Sequence, residues 1–316
     1  MLIDTDVGID DSLAILVMLA APDLDVIAIG SSYGNCRSFR SAANALCVLE
    51  AAGRDDIPVA MAAPEPPSAL ALIDLACSVH GSDGLGNTGH EPKYLKPTGE
   101  TAVAQLLRVG KEPPPGTSLL VLGPLTNIAA AVREDPELLG RFSKVVVMGG
   151  MGPVGGSEEV LARYPRSRLV GDPNTRHNPE ATRTVASAKA NITWVGMNVT
   201  GPALFPASLL DELSASGKEI ACFERDVHQW YINFVTNAWE CAERAFTAHD
   251  TIAACVLLDE DVALRSVKAT PVVCCSESGH GQLWGAAPVE GSVAHQFVTA
   301  IDQAKVEQRI RAALGG

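Results

Sequence analysis

The sequence predicts an α/β protein: an open, mostly parallel sheet with helices on both faces and a helical cap near the active site. Three observations predict it. Short β-branched or apolar runs alternate with longer Ala/Leu-rich stretches, polar clusters stand where the apolar runs end, and neither a Ser/Gly linker nor a repeat divides the 316 residues. Strand, helix, strand in that order favours parallel pairing around one core, and a single domain over 1–316 is expected.

The elements follow in order. Leu2 to Asp4 is a short apolar strand, and Asp11 to Ala21 a nearly all-apolar helix stopped by Pro22. Val26 to Ser32 is the second strand, and Ser38 to Ala52 an Ala/Leu-rich helix closed by Gly53. Ile57 to Ala62, Leu119 to Leu122, Val145 to Met148 and Ile192 to Val195 are further strands. Ala102 to Arg108, Asn127 to Arg133 and Pro179 to Ala188 are the intervening helices, the last opened by a proline suited to a first helical turn. Pro64 to Pro67 and Pro113 to Pro115 are surface loops. From Ala203 to about Ala245 the pattern turns helical and aromatic, with Trp230, Tyr231, Phe234 and Trp239, which predicts the cap.

Composition narrows the partners. Lys and Arg number 24 against 37 Asp and Glu, a formal charge of −13 without a basic cluster, which excludes a phosphate-tracking surface and nucleic acid as a partner. No uncharged apolar run reaches membrane-spanning length, and the N-terminus has neither the basic nor the apolar region of a signal peptide. The eight cysteines (36, 47, 77, 222, 241, 255, 274 and 275) lack CxxC spacing and sit mostly in apolar runs, as buried thiols do in a reducing, cytoplasmic setting.

Ligands of parallel sheets collect beyond the carboxyl ends of the strands. There the sequence places Asp4, Asp6, Asp10 and Asp11, then Asn35, then Thr126 and Asn127, and later Asn174 and the pair His249-Asp250. Four carboxylates within eight residues stand at the mouth of a helix that must be buried. Capping that helix accounts for one or two of them. Two like charges about 4 Å apart repel by about 4 kcal/mol at an effective dielectric near 20, so a bound cation is the simplest remedy. Hard oxygen donors favour calcium or magnesium. Asp250 heads another apolar helical run, Thr251 to Leu258, and could cap it or complete a metal site.

These motifs together resemble the nucleoside hydrolase family. Asp4-Thr5-Asp6-Val7-Gly8-Ile9-Asp10-Asp11 is similar to its DTDPGxDD signature, His80-Gly81-Ser82-Asp83-Gly84-Leu85-Gly86 to its HGxDGLG loop, and Gly123-Pro124-Leu125-Thr126-Asn127 to its GPLTN turn. Ser32 to Asn35, Val147 to Gly150, Asn174 to Ala181 and His249-Asp250 resemble four more of its motifs. The resemblance implies a nucleoside substrate, hydrolysis of its N-glycosidic bond, and a homodimer or homotetramer. It also implies calcium held by Asp6, Asp11, the main-chain carbonyl of Thr126, and Asp250. Asp6 would take a proton from the attacking water, and His249 would assist the departing base. Asp10, Asn35, Asn174 and Asp250 would hold the ribose hydroxyls, with Met148 and Asp172 also facing the substrate. His80 matches a histidine near the base in pyrimidine-preferring relatives, and Tyr231 and Trp239 are candidates to stack on that base.

The sequence departs from the family pattern chiefly at one end of the sugar. Val7 stands in place of the signature proline, and Asp172-Pro173 in place of Glu-Phe before Asn174. The family glutamate helps bind the ribose 5' hydroxyl, and aspartate reaches about one methylene less. The preceding stretch is basic, with Arg163, Arg166 and Arg168, so a modified or phosphorylated 5' group is conceivable, although a solvated loop also accounts for it. Two rival readings remain. Asp4-Thr5-Asp6-Val7 fits the opening of haloacid dehalogenase-like phosphatases, which would require Lys144 and Asp259-Glu260-Asp261 to meet at the site. A non-catalytic nucleoside- or ribose-binding protein on the same fold is the other.

Overall fold

The computed structural model describes residues 1–154, 171–274 and 281–315. The basic stretch containing Arg163, Arg166 and Arg168, and Cys275, lie outside the described residues. A nine-stranded sheet has the order β10-β9-β11-β6-β5-β4-β1-β2-β3. Its strands are β1 (Leu2–Thr5), β2 (Ala28–Ser31), β3 (Val59–Ala60), β4 (Leu119–Val121), β5 (Val145–Met148), β6 (Ile192–Val195), β9 (Arg265–Val273), β10 (Leu283–Ala286) and β11 (His295–Ala300). From β3 through β11 neighbours are parallel, and β9 runs antiparallel to both β11 and β10. Two further strands, β7 (Leu204–Pro206) and β8 (Ala245–Thr247), form a separate antiparallel pair.

The helices are α1 (Ile9–Leu19), α2 (Ser38–Ala51), α3 (Leu70–His80), α4 (Ala102–Lys111), α5 (Thr126–Glu134), α6 (Pro173–Arg176), α7 (Pro179–Ala186), α8 (Met197–Thr200), α9 (Ser208–Ser214), α10 (Glu219–Ala238), α11 (His249–Leu258) and α12 (Gln303–Gly315). Strand alternation assigns them to two faces. Leu2, Leu119, Val121, Val145 and Val147 belong to one apolar cluster, with α4, α5 and α7. Ile3, Leu120, Val146 and Met148 belong to the other, with α1, α2, α11 and α12. Because side chains alternate along a strand, continuously apolar strands must be covered on both sides, which is why β4 and β5 lack the polar-outward pattern of a solvent-facing sheet.

The expected parallel core and its helices are present. The cap holds α9 and α10 as the aromatic stretch predicts, but it is clasped at its two ends by β7 and β8. The sequence reading missed the C-terminal strands. β9 carries Arg265, Lys268 and Pro271 and is largely exposed, so it lacks the apolar run that marks a buried strand. It also missed α3. Among the described residues no helix is long and apolar enough to cross a membrane.

Candidate active site

The carboxyl ends of β1, β2, β4 and β5 converge on a cavity of about 480 Å³, a size suited to a small ligand. Its polar wall includes Asp10, Asn35, Asn174, Asp250, His80 and His249. Its apolar walls come from Leu72, Leu75 and Val79 of α3 and from Phe234, Ala238 and Trp239 at the end of α10. The helix absent from the sequence reading is therefore a wall of the site. Its mostly apolar composition, LALIDLACSV, broken only by Asp74 and Ser78, was the available signal: Ile73 packs inward while Leu75 remains 44% exposed.

The acidic centre is assembled by the turn from β1 into α1. Asp11, in the first turn of α1, accepts hydrogen bonds from the Thr5 hydroxyl, from Gly8 N at 2.8 Å and from Asn35 Nδ2 at 2.8 Å. Its bond to Gly8 caps its own helix, as expected. Asn35 N donates to Asp6 Oδ2 at 2.7 Å, so Asn35 bridges the two carboxylates. The backbone must come close for this. A Cβ on Gly8 would lie 2.6 Å from both Asn35 Nδ2 and His80 Nδ1, and one on Gly123 would lie 2.8 Å from Asp6 Oδ1. Asp250 does not cap α11, whose N-cap is Ala248.

Oxygens of Asp10, Asp11 and Asp250 all lie within 4.8 Å of one another, an arrangement that could hold a metal ion. Asp6 is enclosed beside them, off the cavity wall, and its Oδ1, like Asp250 Oδ1, has no hydrogen-bond partner. Burial and then repulsion from Asp11 push the Asp10 carboxyl up to about 8, partly offset by the N–H groups of His249 and Asp250. Burial, followed by neighbouring carboxylates, also raises Asp6 and Asp250 well above the carboxylate range. Crowded, partly unpartnered carboxylates are the donor set that a hard cation neutralises.

The two cavity histidines are held neutral by burial. Burial lowers His80 to about 3 and His249 to about 4. Nδ1 of His80 accepts from Ile9 N at 3.2 Å, which assigns its proton to Nε2. Its approach of 4.0 Å to Asp10 is therefore not an ion pair. His80 stacks on Tyr231 with centroids 5.6 Å apart, while His249 meets Thr200 Oγ1 at 2.8 Å and lies edge-on to Trp239. Asn174 Nδ2 donates to the carbonyls of Leu122 at 2.6 Å and Met148 at 3.2 Å. Thus Asp10, Asn35, His80, Met148, Asn174, Trp239, His249 and Asp250 share the cavity, and Tyr231 joins them.

Two expected site residues lie off the cavity wall. Thr126 opens α5, and its hydroxyl meets Tyr33 at 2.9 Å and Asn178 Nδ2 at 3.3 Å, away from the cavity wall. The cavity-lining residue after β4 is Leu122, one residue beyond the strand, and its carbonyl accepts from Asn174. Asp172 is fully buried and saturated: it accepts from Gly150 N at 2.8 Å, Asn174 N at 3.1 Å, Thr175 N at 3.1 Å and Thr175 Oγ1 at 2.6 Å. It is the N-cap of α6 and is not among the residues lining the cavity. Asp172→Ala leaves several buried donors unpartnered and should lower the unfolding free energy by about 2 kcal/mol or more in denaturant titration. The ratio of kcat/KM for uridine over 5'-deoxyuridine should not move; a collapse of that ratio at unchanged stability would restore a substrate role.

The phosphatase arrangement is not assembled either. Lys144 pairs with exposed Glu260, and Asp259 with Lys305, all outside the cavity.

Residues 1–308 match the family described as inosine-uridine preferring nucleoside hydrolase. The chain is 35% identical over 239 residues to a probable uridine nucleosidase 2 of Arabidopsis thaliana, covering 76% of this chain and 71% of that protein. It is 30% identical over 264 residues to an inosine-uridine preferring nucleoside hydrolase of Leishmania major, covering 83% and 79%. A solved plant nucleoside hydrolase superimposes with a TM-score of 0.85 at 27% identity, covering 100% of this chain and 98% of the other. With the acidic centre, the cavity and this agreement over nearly its whole length, the chain belongs to the inosine-uridine preferring nucleoside hydrolase family and is a ribonucleoside hydrolase.

Proposed function

We propose that the protein is a calcium-dependent N-ribosyl hydrolase that splits a ribonucleoside, with uridine the first substrate to test, into ribose and free base. The observation that carries this reading is the cluster of buried carboxylates opening into a cavity whose opposite walls are apolar and aromatic. Asp6, Asp11, Asp250 and the carbonyl of Leu122 would hold the ion. Asp6 and Asp250 each have an unpartnered oxygen, and every donor in the set is a hard oxygen. When bound, calcium supplies positive charge that lowers the pKa of the attacking water and fixes the ribose hydroxyls.

The chain's own residues supply the rest. Asp6 takes the proton from that water. Asp10, Asn35 and Asp250 on the polar wall receive the ribose hydroxyls, and Asn174, with its amide hydrogens committed to two carbonyls, presents Oδ1 as an acceptor. This positioning lowers the entropic barrier, and the nearby carboxylates stabilise the oxocarbenium-like sugar. His80 offers an N–H to a base carbonyl, and His249 offers its ring to the departing nitrogen. A homodimer or homotetramer in the cytoplasm completes the proposal.

Release of reducing sugar from uridine by the calcium-loaded protein tests it, and binding without turnover would overturn it. His249→Ala should reduce uridine turnover by about 100-fold, a typical contribution of proton transfer to a leaving group. A 4-nitrophenyl riboside, whose leaving group requires no proton, should lose far less. Equal losses on both substrates would remove His249 from that role.

A further inference from the structure

Gln282, the residue before β10, is buried, and both ends of its amide are committed to one residue 110 positions away. Its Oε1 accepts from Asp172 N at 3.0 Å, and its Nε2 donates to Asp172 O at 3.0 Å. A main-chain N–H beside a main-chain carbonyl permits only one orientation of that amide. The fit is close: a Cβ on Gly171, whose φ is +77°, would lie 2.7 Å from Gln282 Oε1 and 2.8 Å from Nε2. β10 itself grips the stretch after β5, where Leu283 O accepts from Met151 N at 2.8 Å and Gly285 N donates to Gly152 O at 3.0 Å.

What this clamp fixes is the side chain of Asn174. Gln282 holds the Asp172 main chain, and the Asp172 carboxylate accepts from Gly150 N and Asn174 N, so residues 171–174 and the end of β5 form one hydrogen-bonded unit. Gly171, Pro173 and Asn174 line the cavity, whereas Gln282 lies off its wall. Asn174 Nδ2 spans the carbonyls of Leu122 at 2.6 Å and Met148 at 3.2 Å. A shift of the segment by about 1 Å would break one of these bonds and turn Oδ1 away from the sugar. On the reading of Asn174 as a ribose ligand given above, we infer that Gln282 is a positioning residue for the hydrolysis: it acts by holding Asp172, and through Asp172 it sets Asn174 against the ends of β4 and β5.

Gln282→Met keeps the length of the side chain and removes both hydrogen bonds. In NMR spectra the side-chain amide pair of Asn174 is the one missing from Asn174→Ala. In Gln282→Met this pair should move and exchange its hydrogens faster, while the backbone amides of β1 and β4 keep their positions. Gln282→Glu, kept protonated by burial, accepts from Asp172 N and donates to Asp172 O, so it should restore the wild-type pattern and lose it as pH rises. Gln282→Met should lower kcat/KM for uridine by about 10- to 100-fold in the wild-type background and scarcely at all in Asn174→Ala, because the two changes remove the same contact. An unmoved Asn174 pair in Gln282→Met, or an equal loss of kcat/KM in both backgrounds, overturns the inference. If the wild-type protein releases no ribose from uridine, the hydrolase mechanism fails while the amide pair still decides the role of Gln282.

Discussion

Asp6→Asn is expected to lower kcat for uridine by about 1,000-fold or more, because one substitution removes both a proton acceptor and a charged metal ligand. The change is nearly isosteric, and Oδ2 accepts a single hydrogen bond, from Asn35 N. Folding should therefore survive, and calcium affinity measured by calorimetry should fall along with the rate. Asp10→Asn provides the comparison. Asp10 lies on the cavity wall whereas Asp6 does not, so a ribose ligand at Asp10 should show its loss largely in KM. If Asp6→Asn retained wild-type kcat while Asp10→Asn abolished it, the proton acceptor would be Asp10 and the proposed assignment would fail.

Chelation is expected to abolish turnover and to give the stability of the protein a particular pH dependence. With the carboxyl of Asp10 pushed up to about 8, far above its unfolded value, the folded chain binds more protons than the unfolded chain between those limits. The stability contributed by this centre is fully present below about pH 4 and is lost as pH rises toward 8. Asp6 and Asp250 are raised for the same reason and act in the same direction. Calcium competes with those protons, so its stabilisation should grow with pH. At a hundredfold excess over Kd it adds about 2.7 kcal/mol, which corresponds to a rise in Tm of about 5 °C. Melting curves between pH 5 and 8, with calcium and with chelator, measure this; coincident curves across that range would show that the carboxylates hold no ion.

The parallel core was legible because burial on both faces writes itself into the sequence as unbroken apolar runs, of which Val145 to Met148 is the plainest. The acidic turn was legible because four carboxylates at the mouth of a buried helix have few physical explanations. Other parts were hidden for definite reasons. Exposed β9 is a strand through its pairing rather than its composition. Four donors reach the Asp172 carboxylate from the chain itself, and such hydrogen bonding depends on backbone direction rather than on spacing. Leu122 lines the cavity without a sequence signal because an apolar residue at a strand end is common throughout the core.

Gly8 sets a limit on how this turn can drift. Its neighbour Val7 is buried in the apolar cluster, where it contributes packing and no polar contact to the acidic centre. At Gly8 any side chain would press at once on the Asn35 side chain that bridges Asp6 to Asp11 and on the His80 ring. Position 7 can take another apolar side chain of similar volume, whereas position 8 wedges the acidic turn against His80 and must change, if at all, together with both.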